Sequence, residues 1–220
     1  MNKIVFLLLT FSCLPSQPSR IATPPAVRRP AAVMSFEGAD WLERSSREEE
    51  ERPGEVVAAM RLHDGLFVAE IGAGTGYMSR RMARVVAPHG RVYAEEIQPE
   101  MLALMKPLLE KDHVEGVVVP LLGTPTDPKL PSHRFDWILL VDVYHEFQQP
   151  KPMLAKMREA LAPGGRVALV EYRAEGTTAS HIRAEHRMSV EQVLAEWKPA
   201  GFELEKVVET LPAQHLFIFR

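Results

Sequence analysis

The sequence predicts an α/β fold, a three-layer sandwich around a seven-stranded, mostly parallel sheet that ends in an antiparallel carboxyl-terminal hairpin. Three observations carry this expectation. Short apolar runs alternate with amphipathic helical segments through most of the chain, as right-handed parallel crossovers require. A glycine-dense turn follows the first apolar run. The last two runs, Phe202 to Val208 and Gln214 to Phe219, are joined by a link through Pro212 too short for a helical crossover, so they must pair as a hairpin.

Residues 35–53 are polar with apolar anchors at Phe36, Trp41 and Leu42 and an acidic run from Glu48 to Glu51, which reads as an amino-terminal helical cap. Pro53-Gly54 breaks it, and Val56, Val57, Met60 and Leu62 then recur at roughly helical spacing until His63-Asp64-Gly65. The first strand is Leu66 to Ile71. After the glycine turn, Met78, Met82, Val85 and Val86 form the core face of an amphipathic helix, with Arg80, Arg81 and Arg84 opposite. Pro88-His89-Gly90 stops it. Arg91 to Ile97 is the second strand, Pro99 opens a helix through Glu110, and Val117 to Leu122 is the third strand. Phe135 to Val141 is apolar enough to be buried on both faces of a parallel sheet. Pro152 to Leu161 is helical, Ala162-Pro163-Gly164-Gly165 a sharp turn, and Arg166 to Glu171 the fifth strand. Ser189 and Gln192 have capping-box spacing before a helix that buries Val193, Leu194 and Trp197 and ends at Gly201.

With 220 residues, a net charge of −3 and 46% hydrophobic content, the chain can bury one sizeable core. Charges of both signs are interspersed without a basic stripe, which argues against nucleic acid as a partner. The amino terminus differs in kind: Lys3, an apolar run from Ile4 to Leu14, then proline-rich sequence to Pro30. That is the outline of a signal peptide and linker over residues 1–33, which predicts export or surface anchoring of a domain spanning 34–220. The run is about half of a membrane-spanning helix, so no integral span is expected. Cys13 fits a lipoprotein acylation site poorly, and its being the only cysteine excludes a disulfide scaffold or a thiolate zinc site. An alternative start at Met34 would make the protein cytoplasmic.

The glycine turn decides the chemistry. Val68-Ala69-Glu70-Ile71-Gly72-Ala73-Gly74-Thr75-Gly76-Tyr77 runs a strand into three alternate glycines, where the backbone can bend tightly and offer N–H groups to a ligand. The dinucleotide fingerprint needs glycine where Tyr77 stands. The motif E-x-G-x-G-x-G instead resembles the first motif of class I S-adenosylmethionine-dependent methyltransferases, and Leu161-Ala162-Pro163-Gly164-Gly165-Arg166 resembles that family's turn before the fifth strand. The resemblance covers roughly Gly54 to Arg220. It implies a Rossmann-like fold, S-adenosyl-L-methionine as cofactor, and methyl transfer, with a small molecule as the default acceptor.

The same resemblance places the cofactor against Glu70, Gly72, Ala73, Gly74, Thr75, Gly76 and Tyr77, with Glu96 in the ribose slot followed by Ile97. Glu95 would point to the opposite face by strand alternation. The adenine amine falls to Thr124, which stands at the motif's slot, or to Asp127, the first carboxylate available. Asp142 to Glu146 lie beyond a strand's carboxyl end, where open α/β sheets bind ligands. Asp142 is therefore expected at the cofactor, Asp142, His145 and Glu146 are the candidate catalytic groups, and His145 is the candidate general base. Tyr144, His145, Glu171, Tyr172 and His186 are expected to face the acceptor. Asp142, His145, Glu171 and His186 could in principle ligate a metal, but none has tight ligand spacing, so no metal is expected. Two readings compete with methyl transfer: an NAD(P)-dependent oxidoreductase, and a non-catalytic exported binding protein that retains the fold.

Overall fold

Strand β1 (Phe67–Ile71) sits mid-sheet with β2 (Arg91–Glu96) and then β3 (Val118–Leu122) on one side. On its other side come β4 (Phe135–Val141) and β5 (Leu161–Arg173), so the strand order is β3-β2-β1-β4-β5-β8-β7. The computed structural model describes residues 28–220; the signal-like run and most of the proline-rich stretch lie outside them. Strands β1 to β5 are parallel, and β8 (Gln214–Phe219) runs antiparallel to both β5 and β7 (Leu204–Val208). The expected hairpin is present. An eighth strand, the two-residue β6 (Arg187–Met188), was not expected and adds to the edge of β5 at Tyr172 and Arg173.

Alternation along each strand feeds two cores. Val68, Leu139 and Ile218 face a cluster built from α3 (Pro53–Met60), α4 (Tyr77–Val86) and α5 (Pro99–Lys111). Ala69, Ile138, Leu140 and Phe217 face the opposite cluster, with α6 (Pro150–Ala160) and α7 (Val190–Trp197). In the second core Trp197 is fully buried and stacks on Phe219 at 4.5 Å; truncating such a side chain to alanine costs about 3–5 kcal/mol. Ser189 caps α7 by accepting from the Gln192 N–H at 3.1 Å, the first half of the capping box.

Two expectations need correcting. In α4 Met78, Met82 and Val86 are buried, but Val85 is 37% exposed and Arg80 only 7%. Arg80 lies inside because it finds carboxylates there: its guanidinium reaches Glu43 and Asp112. The Pro163 turn is not a clean interruption. Leu161 already pairs with Phe135, and the register shifts before Arg166 pairs with Trp137, so the turn is a large bulge inside one strand.

The amino-terminal segment forms the expected cap, through a 3-10 turn at Phe36–Gly38, α1 (Ala39–Leu42) and α2 (Arg47–Glu51). Its anchorage begins earlier than residue 34. The Arg28 guanidinium donates to the carbonyls of Tyr144, His145 and Phe147 and pairs with Glu196, and Ala31 is buried with its N–H on the His145 carbonyl.

Candidate functional site

The chain leaves β1 toward β2 and returns to β4 on the other side, so the carboxyl ends of β1 and β4 part at a topological switch point. Gly72 follows β1 and Asp142 follows β4, and both line a cleft that also takes in Glu95, Glu96 and Ile97 from the end of β2. Most of the remaining wall is apolar, with Ile71, Met101, Val141, Val143, Phe147 and Met153. Trp41, Leu42 and Arg47 of the cap close it from above. Glycine is required at position 72: φ is +67°, and a Cβ there would come within 2.4 Å of the Val143 side chain.

The loop's N–H groups are not bare. Gly72 donates to Glu95 Oε2 at 3.2 Å and Gly74 to Glu96 Oε2 at 3.0 Å, while Ala73 donates to the Glu95 carbonyl. Buried donors must be paired, and the two acids ending β2 are the nearest acceptors. Glu96 Oε1 also takes the N–H groups of Ile97 and Gln98. Three backbone donors therefore fix this carboxylate, and of its roughly four acceptor positions about one stays open.

Glu95 does not point away as strand alternation suggested. At the strand's end it folds toward the loop and the cleft, 1% exposed, and a Cβ on Gly123 would collide with its Oε1. Burial pushes its carboxyl up to about 8, reinforced by neighbouring Glu96. Its Oε1 has no hydrogen-bond partner, and neither has Asp142 Oδ1. Asp142, at φ +50°, accepts from Gln214 Nε2 through its other oxygen at 2.6 Å. Burial raises its carboxyl well above the usual range, with Glu51 and Glu171 adding to the effect.

Several residues expected at the cofactor bond to the cap or lie in the core. Glu70 is buried beneath the loop, accepts from Ser79 Oγ at 2.5 Å and is pushed up to about 7 by burial. Thr75 donates to Glu43, and Tyr77 donates to Glu48 with the Arg47 and Arg81 guanidinium groups over its ring. Ala73 and Gly76 do not reach the cleft, since the space beside Gly76 is filled by Met105. Thr124 and Asp127 bond one another's backbone in a tight turn and Asp127 pairs with Lys129; Pro125 is the member of that loop that lines the cleft. The loop is short and self-capped, which leaves neither side chain free.

On the acceptor side, Asp142 and Glu146 line the cleft, and His145 stands behind them. His145 is 3% exposed and held by Glu171, whose carboxylate accepts from its N–H at 3.1 Å and meets Nδ1 at 2.7 Å. Burial works against the imidazolium, but Glu171, Asp142 and Glu146 outweigh it and push His145 up to about 9. Its Nε2 meets His186 Nδ1 at 3.0 Å. Burial lowers the His186 imidazole, with His145 and Arg183 adding to this. Burial raises Glu146 to about 7, and its carboxylate accepts from the Met34 N–H.

Tyr144 and Tyr172, expected to face the acceptor, do not line the cleft. Tyr144 is fully buried against Phe147 and Trp197 with its hydroxyl on Glu196, and Tyr172 is buried with Ala179 and Ala213. Sequence reasoning missed Glu95, Arg47 and Gln214. Gln214 had a signal, a polar residue opening the otherwise apolar run Leu216 to Phe219; the other two are brought in by tertiary contacts.

Over its middle part the chain is similar to known methyltransferases. A family described as "Methyltransferase domain" matches residues 69–169. The protein-L-isoaspartate O-methyltransferase of Aeropyrum pernix is 36% identical over 127 residues, covering 53% of this chain and 44% of that one. A ubiquinone/menaquinone biosynthesis C-methyltransferase of Burkholderia vietnamiensis is 32% identical over 119 residues, covering 53% of this chain and 47% of its own. The chain thus spans about half the length of these relatives. In three dimensions, an S-adenosylmethionine-dependent methyltransferase from Aquifex aeolicus superposes with a TM-score of 0.77 at 22% identity, over 84% of this chain and 98% of that one.

Proposed function

We propose that the chain is a class I S-adenosylmethionine-dependent methyltransferase and that it transfers the cofactor's methyl group to a small, largely apolar acceptor bound in the cleft between β1 and β4. The observation that carries this reading is the pair of buried, unpartnered carboxylate oxygens, Glu95 Oε1 and Asp142 Oδ1, at the cleft wall. An unmade hydrogen bond at a buried acceptor costs about 1–3 kcal/mol, which a ligand rich in donors recovers. S-adenosylmethionine fits that need, with ribose hydroxyls, an adenine amine and an ammonium group.

Each residue then has a task. Glu96, fixed by Gly74, Ile97 and Gln98, offers its open acceptor position to a ribose hydroxyl, and Glu95 offers Oε1 to the other. Gly72 keeps the loop flush with the cleft by making room for Val143. Asp142, positioned by Gln214, accepts from the cofactor's cationic end. When bound, the cofactor supplies a methyl group on a sulfonium, open to in-line displacement by the acceptor. Val143, Phe147 and Met153 hold the acceptor's apolar body and exclude water. Orientation of this kind contributes about 7–11 kcal/mol in favourable systems, so a dedicated base is not required. Where the acceptor carries a proton, Glu146 is the carboxylate at the cleft wall to receive it, with His145 behind.

Calorimetry with S-adenosylhomocysteine tests the reading. One saturable site is expected, weakened at least tenfold by Glu96→Ala, and NADH should give no heat. Absence of any S-adenosylhomocysteine affinity in the folded protein would sink the proposal.

A further inference from the structure

We propose that His145, Glu146 and His186 form a binding site for one divalent cation of the zinc class at the wall of the cleft. Ligand atoms of these three residues all lie within 4.8 Å of one another. His145 Nε2 and His186 Nδ1 face each other at 3.0 Å. Two imidazole nitrogens, each about 2.0–2.1 Å from a zinc ion, stand roughly 2.8–3.4 Å apart for bond angles between octahedral and tetrahedral. The two rings therefore already have the spacing of a ligand pair, and a carboxylate oxygen of Glu146 lies within 4.8 Å of both. Two imidazoles and a carboxylate suit zinc, and they leave coordination positions open.

The surroundings point the same way. Glu171, fully buried, binds the His145 N–H and Nδ1 together, which fixes the ring and directs Nε2 outward. A carboxylate behind a ligating histidine is the usual orienting partner in such centres. Asp142 also bears on His145, so the ring feels the charge of three carboxylates. The opposing charge is Arg183, which reaches His186 Nε2 at 3.0 Å, but its side chain is 75% exposed and well screened. The three ligands come from two places. Residues 145 and 146 follow β4, and His186 sits in the turn Ala184–His186 just before β6. A cation there would tie the loop after β5 to the exit of β4. Glu146 also lines the cleft, so the site borders the methyl-transfer chamber without overlapping Glu95 or Glu96.

The competing state is a proton shared between the two imidazoles, and the experiment separates the two. Purified protein, stripped with a chelator, is titrated with Zn2+ by calorimetry at neutral pH, and crystals soaked in Zn2+ are measured across the zinc absorption edge. One equivalent should bind, with an anomalous peak between His145 and His186. His186→Ala should lower the affinity at least tenfold, and Glu171→Gln about tenfold through loss of ring orientation. S-adenosylhomocysteine titrations on the same samples report whether each variant is folded. No saturable zinc binding to wild-type protein, or a peak elsewhere, would overturn the proposal whatever His186→Ala does. Failure of wild-type protein to bind S-adenosylhomocysteine would instead count against the methyltransferase reading and leave the zinc result standing.

Discussion

Glu95 and Glu96 are adjacent acids with different fates, and the difference is local. Glu96 is met by three backbone N–H groups, whereas Glu95 has one such donor and a bare oxygen in a closed pocket. The unpaired acid holds its proton to about pH 8, against an ordinary value near 4.5. The sign follows from linkage: between those values the folded state binds more protons than the unfolded state, so stability falls as pH rises. Unfolding of the free protein followed by denaturant at pH 5, 6.5 and 8 should show that decline. Glu95→Gln should flatten it, with Glu70, pushed up to about 7, accounting for part of what remains. An unchanged slope in Glu95→Gln would show that this carboxyl is paired in solution. Glu96 was legible as a candidate because it occupies a motif position. Its neighbour was not, because strand alternation fails at the last residues of β2, where the chain turns to meet the glycine loop.

Among the elements, those that depend on local pattern were read most closely. The boundaries of β4 and the start of α5 at Pro99 coincide with the apolar run and the proline that announce them. Departures occur where a distant partner decides. Arg80 is buried because Glu43 and Asp112 come from outside its helix, and no periodicity within α4 reports that. Likewise the link between Glu171 and His145 exists only because β5 lies beside the exit of β4. The segment 28–33 belongs to this class as well. A proline-rich stretch reads as linker, yet Arg28 ties it to the backbone of Tyr144, His145 and Phe147. Hydrogen bonds to a charged group contribute about 1.5–3 kcal/mol each when well formed. A chain beginning at Met34 should therefore unfold at lower denaturant concentration than one beginning at residue 28, with the deficit reproduced in part by Arg28→Ala. Equal midpoints would make this segment dispensable to the fold.

At the scale of the molecule, the sheet order places every cleft carboxylate on one rim, and the cap then lies over that rim. Glu43 connects the two, accepting from Thr75 Oγ1 at 2.5 Å and pairing with Arg80, which also holds Asp112. Among the described residues no helix is long and apolar enough to cross a membrane, and the apolar side chains of the cap, Trp41 and Leu42, line the cleft. Such a roof has a kinetic meaning. On the proposed reading, a nucleoside product beneath Trp41, Leu42 and Arg47 would leave when the Glu43–Arg80 ion pair opens, which makes residence time rather than affinity the quantity the roof controls. Mass action ties the two together only through the entry rate, which the same opening limits. Stopped-flow displacement of S-adenosylhomocysteine should show faster release and faster entry in Glu43→Gln, each by a few-fold for about 1 kcal/mol of lost pairing, with the equilibrium constant little changed. Release that is indifferent to Glu43 would mean that the ligand has another way out. If the roof does pace exchange, turnover in this protein is set by the breathing of a short acidic cap, and salt concentration becomes a control on how long each spent cofactor stays.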